Sequence, residues 1–327
     1  MGDPQGIGLD ITLMAWSRRK ALGLAPFALY GEVDATRTRA HALGIDAPLA
    51  VLEDPCDAAD AFARALPLIP LAADPEVEGA STVTAIERAT HDVASGHASA
   101  LVTNPITKSK PGFERLPYPG HTELLADLAQ QYCNVPRPHP VMMLASDVLR
   151  VVPVTVHIPL AKVSGALTAD LLGATLAITH TSLVTDFGVT SPRIAVAGLN
   201  PHAGEGGLIG REDIDLIVPV LDVARSRGMT VLGPLSADTL FHAEARAGYD
   251  VALCMYHDQA LIPIKTLAFD TGVNVTLGLP FVRTSPDHGT AFALAGTGRA
   301  RPDSFIAALR LADEIAGRRA RNAQAAS

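Results

Sequence analysis

Short apolar runs that alternate with amphipathic segments limit the fold of this chain more than any other feature. The runs are continuous in apolar character, which indicates strands buried on both faces. They cover residues 27–30, 100–102, 141–144, 151–156, 194–197, 229–232 and 251–255. Between them, Ser81 and Asp213 are placed to begin helices with inward-facing apolar residues. This alternation predicts a largely parallel α/β/α sandwich.

Length and composition narrow the class of protein further. The 327 residues exceed what one hydrophobic core usually supports, so two lobes with a cleft are expected. Apolar residues make up 48% of the sequence, yet no apolar run is long enough to span a membrane and no secretory signal opens the chain. The net charge of −8 disfavours a nucleic-acid partner. We therefore expect a soluble cytoplasmic protein without membrane or nucleic-acid partners.

The three cysteines give no sign of a disulfide framework. Cys56, Cys133 and Cys254 are odd in number, far apart in sequence and without a CxxC spacing. This pattern also argues against a zinc knuckle. We expect all three to be buried thiols.

Three of the 11 histidines, His157, His202 and His257, each follow an apolar, β-branched run. In α/β proteins, residues at the carboxyl ends of strands bind ligands, so these imidazoles could meet only through the fold. Neutral imidazole suits zinc, cobalt or iron, and three protein nitrogens leave positions open for a substrate oxygen. Spacing alone leaves two interpretations open, namely a divided metal site or three unrelated surface or core histidines.

Two glycine-rich segments, 2–8 and 204–210, are typical either of anion-binding loops or of tight turns with positive φ. Neither segment fits G-x-G-x-x-G in register, so a Rossmann fingerprint is absent. The sequence also lacks a P-loop, which counts against a nucleotide hydrolase.

Several ordered motifs cover nearly the whole chain. They are Gly2-Asp3-Pro4 with Gly6-Ile7-Gly8, Thr103-Asn104-Pro105 with Lys108, Gly120-His121-Thr122-Glu123, His157-Ile158-Pro159-Leu160, 200–207, Gly210-Arg211-Glu212, Gly233-Pro234 with Asp238-Thr239, Tyr256-His257-Asp258-Gln259, 274–280 and 283–290. Together these segments resemble the PdxA family of 4-hydroxythreonine-4-phosphate dehydrogenases. The segment 283–298 is similar to the adenine-side loop of the isocitrate and isopropylmalate dehydrogenase superfamily, which binds nicotinamide dinucleotides without a Rossmann fold.

The resemblance implies a two-lobed α/β/α sandwich of the isocitrate/isopropylmalate dehydrogenase-like type. Its active site is expected in the interlobe cleft, at the interface of a homodimer. The cofactor-side lobe would comprise residues 1–118 and 265–327. The lobe for metal, substrate and dimerisation would comprise residues 119–264.

The resemblance also implies the roles of individual residues. The metal ligands would be His157, His202 and His257, which bind one zinc, magnesium or cobalt ion, with one histidine contributed by the partner subunit. The substrate-binding residues would be His121, Thr122, Lys265, Asn274 and Arg283. The residues that bind NAD or NADP would be Asp287, His288, Gly289 and Thr290.

The implied activity is oxidation of 4-phosphohydroxy-L-threonine to 2-amino-3-oxo-4-phosphobutanoate. That product loses CO2 to give 3-amino-2-oxopropyl phosphate in pyridoxine 5'-phosphate biosynthesis. Lys265 and Arg283 suit the phosphate and carboxylate of such a substrate. Asp238 and Asp258 are candidates either for moving the hydroxyl proton or for orienting ligand histidines, and the sequence does not separate these roles. Lys108 is a further candidate for proton transfer.

Three alternatives stay open at this point. A related dehydrogenase could act on threonate or erythronate 4-phosphate or on a cis-dihydrodiol, although the segment 120–123 with Lys265 and Arg283 favours a phosphorylated substrate. A metal-dependent hydrolase could use the three histidines to activate water, but the loop 287–298 counts against it. A ligand-binding protein without chemistry is the third alternative.

The start of the chain departs from the family pattern. Family members usually have a short apolar strand ahead of the Gly-Asp-Pro turn, whereas Met1 directly precedes Gly2 here. Either the sheet lacks an element or the sequence begins too late. A buried central strand contributes several kcal/mol at about 25 cal/mol per Å² of apolar area. We therefore expect the chain to be less stable than a version extended upstream.

Overall fold

The computed structural model describes residues 1–71, 80–107 and 121–326. The chain forms two compact units. Unit 1 comprises Met1–Pro140 and Leu279–Ala316, and unit 2 comprises Val141–Gly278 and Gly317–Ser327. The two functional lobes expected from the sequence have other boundaries than these units, and their roles stay a prediction.

Unit 1 contains two groups of parallel strands in its described part. The first group is a three-stranded sheet of β1 (Leu29–Gly31), β2 (Leu49–Val51) and β3 (Leu66–Pro70), in the order β1–β3–β2. In the second group, β4 (Ala100–Val102) pairs with β11 (Val282–Pro286).

The helices of unit 1 cover these strands with apolar side chains. They are α1 (Gly8–Ser17), α2 (Arg19–Leu22), α3 (Val33–Ala42), α4 (Ala58–Phe62), α5 (Ala80–Ala94), α6 (His121–Cys133) and α12 (Asp303–Ala326), of which the residues from Gly317 onward belong to unit 2. The largest core here packs Leu13 and Trp16 of α1 against Leu66 and Leu68 of β3. Helix α1 is buried on nearly every side, so it is not amphipathic.

A cavity of about 510 Å³ lies in unit 1. Its lining includes Leu29 and Tyr30 of β1, Leu101 and Val102 of β4, and apolar residues of α5 and α12. In the described strand order, β1 and β4 each stand at an edge of their group. The buried amino group of Met1 donates a hydrogen bond to the Tyr30 carbonyl at 2.8 Å. Desolvation lowers the pKa of this amino group to about 5.

Unit 2 contains six strands that pair in the order β10–β5–β6–β9–β7–β8. Four neighbouring strands, β6, β9, β7 and β8, are parallel, whereas β5 pairs antiparallel with both β6 and β10. The strands are β5 (Val141–Ala145), β6 (Arg150–Thr155), β7 (Arg193–Ala197), β8 (Thr230–Leu235), β9 (Val251–Tyr256) and β10 (Val273–Leu277).

Five α-helices accompany this sheet in the described residues. They are α7 (Val163–Ala166), α8 (Ala169–Thr185), α9 (Val218–Ser226), α10 (Ala243–Arg246) and α11 (His257–Ala268). A π-helical turn, Asp213–Ile217, leads directly into α9. The core next to β9 packs Val151, Ala195 and Ala252 against Ile264 of α11.

The structure confirms the predicted mixed α/β class and its largely parallel pairing. Each of the seven predicted apolar runs overlaps a strand, and the predicted helix at Ser81 is α5. The Pro- and Gly-rich segments 110–120 and 278–286 are expected from the sequence to interrupt the alternation of strands and helices. The segment 278–286 instead contains β11, whose five residues are all buried. Its Arg, Thr, Ser and Pro residues hid the strand from an argument based on apolar character. The other predicted interruption, 110–120, lies outside the described residues.

None of the described helices is by itself long and apolar enough to cross a membrane. One bent pair, Leu160–Ala166 with Ala169–Thr185, meets the length and composition criteria together across a 90° break.

Candidate active site

The carboxyl ends of four adjacent parallel strands in unit 2 carry the main candidate side chains. His157 follows β6, His257 directly follows β9, His202 lies in the turn after β7, and Asp238 lies in the turn after β8. Because these strands are parallel neighbours, their carboxyl ends lie at one edge of the sheet. The expected placement of the three histidines after different strands is therefore found. Their binding of a metal stays a prediction.

Two of the three histidines are close neighbours. The ring centroids of His157 and His257 are 5.5 Å apart. The His257 Nδ1 atom lies 2.7 Å from Oδ1 of Asp258, so Asp258 is placed to orient this imidazole. Among the described residues, the ligand atoms of His157, His202 and His257 do not all fall within 4.8 Å of one another in the single chain.

The third histidine lies near the other acidic candidate. Ser236 donates a hydrogen bond to Oδ1 of Asp238 at 2.6 Å. This bond lowers the pKa of Asp238, and the nearby His202 adds to the effect. Both Asp238 and His202 are exposed, so ligands can reach them.

The backbone is strained at two of the predicted metal ligands. His157 and His202 both have φ of 52°, in the left-handed region that few non-glycine residues adopt. His202 begins a run of left-handed residues that continues through Glu205 to Gly207. Such conformations persist only where the surrounding structure enforces them, and they cluster at functional sites. The glycines at 204, 206 and 207 all have positive φ, which agrees with their interpretation as turn residues.

A buried carboxylate holds the strained turn in place. Asp213, which is 1% exposed, accepts hydrogen bonds from the backbone N–H groups of Leu199 and Asn200, at 2.9 and 3.2 Å. It also accepts one from the Asn200 side chain at 3.0 Å. Sequence reasoning assigned Asp213 only to a helix start. Its role depends on a contact that no local pattern reveals.

A glutamine links the ends of two central strands of the sheet. The Gln259 side chain accepts a hydrogen bond from the Met255 N–H at 2.7 Å and donates one to the Gly198 carbonyl at 2.8 Å. The Thr155 hydroxyl donates to the Met255 carbonyl at 2.7 Å, which connects β6 to the same point. These bonds fix the strand ends from which the histidines project.

The predicted substrate-binding residues are found in different environments. Lys265 on α11 and Asn274 on β10 are half-buried in unit 2, and Thr122 on α6 is half-buried in unit 1. The side chain of His121 lies outside the described residues, and so does Lys108.

Arg283 is the most buried of these residues, with 4% of its surface exposed. Its Nε and Nη2 atoms donate to the Thr103 hydroxyl at 3.2 and 2.6 Å. Desolvation lowers the pKa of its guanidinium to about 10. Arg283 is therefore not a solvated surface charge.

The predicted dinucleotide loop, 287–290, follows β11 in unit 1 and contacts the first glycine-rich segment. The Ile7 N–H donates to the Thr290 carbonyl at 3.0 Å, and the Asp287 N–H donates to the Ser304 hydroxyl at 3.0 Å. Within the described part of the chain, the buried Nε2 atom of His288 has no hydrogen-bond partner. Such an orphaned atom is suited to a ligand.

Sequence reasoning missed an ion pair between α1 and α3. Asp10, which is fully buried in α1, pairs with Arg39 and accepts a hydrogen bond from the Gly296 N–H at 2.7 Å. Arg39 also donates to the carbonyls of Pro4 and Gly6. The available signal was a single carboxylate inside an otherwise apolar helix, because a buried charge is normally paired.

Comparisons with known proteins show which family this chain resembles. The family model described as "Pyridoxal phosphate biosynthetic protein PdxA" matches residues 24–312. A protein of Xanthobacter autotrophicus named 4-hydroxythreonine-4-phosphate dehydrogenase is 52% identical over 98% of this chain and 93% of its own length. The crystal structure of a protein with the same name from Klebsiella pneumoniae has a TM-score of 0.83 at 35% identity, covering 97% of this chain and 96% of that chain.

A more distant structural relative has another name. The crystal structure of a terephthalate 1,2-cis-dihydrodiol dehydrogenase from Burkholderia xenovorans LB400 has a TM-score of 0.62 at 27% identity, covering 96% of each chain. Both the identity and the TM-score are lower than for the Klebsiella protein. On the match to the family model and the 52% identity over nearly its whole length, the chain belongs to the PdxA family.

Proposed function

We propose that the chain is a dehydrogenase that oxidises 4-phosphohydroxy-L-threonine with NAD or NADP and a divalent cation, in the synthesis of pyridoxine 5'-phosphate. The observation that carries this proposal is the projection of His157, His257 and His202 from the carboxyl ends of three adjacent parallel strands. Ligand sites lie at this edge in open α/β sheets. The names of the relatives support the reaction and the substrate.

The donor set fits a divalent cation. Three imidazoles with nearby carboxylates suit zinc or cobalt, and the carboxylates also suit magnesium. When bound, such a cation polarises a substrate oxygen and favours its deprotonation. The strained backbone at His157 and His202 supports a functional role for both residues.

A homodimer would complete this site. In the single chain, the three sets of ligand atoms do not all approach within 4.8 Å. The contribution of one histidine by the partner subunit would resolve this separation. Large apolar side chains near the two strained histidines support such an interface, because Leu160 is 72% exposed and Leu208 is 86% exposed.

The other residues would bind and orient the reactants. Arg283 and Lys265 supply the positive charge that the phosphate and carboxylate of the substrate require. With a pKa of about 10, the buried Arg283 guanidinium stays protonated at neutral pH. Asp258 would hold the His257 ring through the 2.7 Å contact, and Asp238 would orient His202 or accept the hydroxyl proton.

The nucleotide would bind at residues 287–290. The buried and unpartnered Nε2 atom of His288 is suited to a polar group of the dinucleotide, within the part of the chain that the structure describes. We expect the backbone of this loop to be rigid, because the bonds from Ile7 and to Ser304 hold it at both ends. A cytoplasmic location stays a prediction.

One assay tests the proposal. NADH or NADPH formation would be measured with 4-phosphohydroxy-L-threonine, with threonate 4-phosphate and with a cis-dihydrodiol, each with and without a chelator. We expect chelator-sensitive turnover that is fastest with the amino-acid phosphate. Faster turnover of threonate 4-phosphate would favour the alternative substrate class, and no reduction of either nucleotide would contradict the proposal.

A further inference from the structure

Unit 1 contains a second group of potential metal ligands, made of residues that the candidate active site does not use. These are Asp54, Cys56 and His97, whose ligand atoms all lie within 4.8 Å of one another. The sequence predicted that all three cysteines are buried thiols, but Cys56 is exposed and Cys133 is half-buried, whereas Cys254 is buried as predicted. The prediction was wrong because Cys56 lies in a short surface turn, Pro55–Asp57, rather than in a strand.

Local hydrogen bonds fix the geometry of this group. Asp54 caps the turn Pro55–Asp57, and its Oδ1 atom accepts the Cys56 N–H at 2.8 Å. Its other oxygen, Oδ2, lies 3.4 Å from Nδ1 of His97. The Cys56 thiol donates to the His97 carbonyl at 3.4 Å. The three side chains therefore come from two segments that already contact each other.

The chemistry of the three donors is that of a zinc-type site. Thiolate, imidazole and carboxylate are the protein ligands that zinc prefers, and three of them leave a fourth tetrahedral position for water. Without a cation, the hydrogen bond with Asp54 raises the pKa of the Cys56 thiol. A bound divalent cation reverses this effect, because a coordinating thiol loses its proton.

The neighbouring charges leave room for a cation. Arg88 acts electrostatically on Asp54, but its guanidinium is engaged by Asp92 at 3.1 Å and by the Glu53 carbonyl at 3.3 Å. Asp57 adds a second negative charge beside Cys56. A divalent ion would thus be neutralised by the thiolate and the Asp54 carboxylate.

We propose that Asp54, Cys56 and His97 bind one thiophilic divalent cation, such as Zn²⁺, Co²⁺ or Cd²⁺. The ion would join the segment after β2 to the segment before β4, and so tie together two parts of unit 1. Ligands that bind only the folded state stabilise it by mass action. Saturation with Zn²⁺ should therefore raise the melting temperature through this site.

Cobalt spectroscopy tests the proposal independently of the proposed function. The full-length protein would be titrated with Co²⁺, and the ultraviolet sulfur-to-cobalt charge-transfer band would be recorded. The three histidines of the candidate active site offer no sulfur, so cobalt bound there gives no such band. We expect a band that saturates at one equivalent per chain, disappears in Cys56→Ser and persists in Cys133→Ser.

Two further variants separate a built site from a single reactive thiol. Asn is as good a helix cap as Asp, so Asp54→Asn keeps the turn while removing an anionic ligand. Asp54→Asn and His97→Gln should each weaken cobalt binding at least about tenfold. The circular dichroism spectrum of each variant without metal should stay unchanged. The proposal is overturned if the folded wild type gives no band, if the band survives in Cys56→Ser, or if both ligand variants bind cobalt as tightly as the wild type.

Discussion

The sheet of unit 2 and the strands of unit 1 differ in how fully their edges are paired. In unit 2, β6, β9 and β7 each have a strand on both sides. In the described part of unit 1, β1 and β4 are edge strands, and both line the cavity of about 510 Å³. The strands that carry the histidines in unit 2 are therefore held on both sides, whereas unit 1 leaves a place that an additional strand could fill.

The difference shows where a protein can maintain backbone strain. A left-handed conformation for a non-glycine residue costs about 1–2 kcal/mol and needs strong support from its surroundings. His157 and His202 both adopt it, in the loops that follow two strands paired on both sides. Unit 1 differs, because the Met1 amino group is buried there beside a cavity instead of beside fully paired strands.

Substitution of a strained histidine should have the largest effect. His202→Ala removes an expected metal ligand, so turnover should fall by more than the roughly 10–100-fold typical for residues that only orient ligands. The fold should persist, because His202 is exposed. NADH formation and circular dichroism would be measured together, with the exposed His41→Ala as the control. Near-normal activity of a folded, metal-stripped His202→Ala protein would refute the metal site.

Addition of a strand at the open position in unit 1 should have the next largest effect, on the stability of the protein. The Met1–Gly2–Asp3 backbone already bonds on one side to Tyr30 and on the other to Pro105. An apolar segment of about five residues joined ahead of Met1 should pair with β1 and β4 and add several kcal/mol, at about 25 cal/mol per Å². Melting temperatures would be compared with those of the chain as given and of a Gly/Ser extension of equal length. Equal values for all three would refute the prediction.

The buried amino group should give the folded state a pH dependence. Its pKa falls from 8.0 to about 5 on folding, so between these values the unfolded state binds the extra proton. Stability should therefore rise with pH across this window and level off above pH 8, by at most about 1.4 kcal/mol per pH unit. Denaturant unfolding from pH 5 to pH 8 would measure the slope. An N-terminally acetylated protein should lose this contribution, and an unchanged slope would contradict the assignment.

Removal of the carboxylate that supports the strained turn should lower the free energy of unfolding by a smaller amount. Asp213→Asn replaces a carboxylate that accepts three hydrogen bonds and should lower the free energy of unfolding by about 2 kcal/mol. Asp215→Asn is the matched control, because that exposed carboxylate pairs with Arg211 at the protein surface and should change stability by less than about 1 kcal/mol. Similar losses in the two variants would show that Asp213 does not support the turn.

Much of the fold follows from local patterns. Apolar runs predicted β5, β6, β7 and β9, which are buried almost throughout. The missed strands lack this signal for particular reasons. β2 is short and partly exposed, β3 contains Pro67 and Pro70, and β11 buries Arg283 and Ser285.

The candidate site was partly predictable for the same physical reason. The rule that ligands lie at the carboxyl ends of strands predicted that His157, His202 and His257 follow different strands, whereas spacing alone left open whether they share a metal. The left-handed turn, its support by Asp213 and the pairing of Asp10 with Arg39 were not predictable. Each depends on residues brought together by the fold, and periodicity contains no information about such contacts.

The central claim is that the three histidines share one divalent ion. Anomalous X-ray diffraction from crystals of the zinc- or cobalt-loaded protein tests it most directly. We expect one strong anomalous peak coordinated by nitrogens of His157, His202 and His257, with the set completed across a homodimer. A metal-loaded crystal in which these three rings surround no common peak, within one subunit or between two, would contradict it.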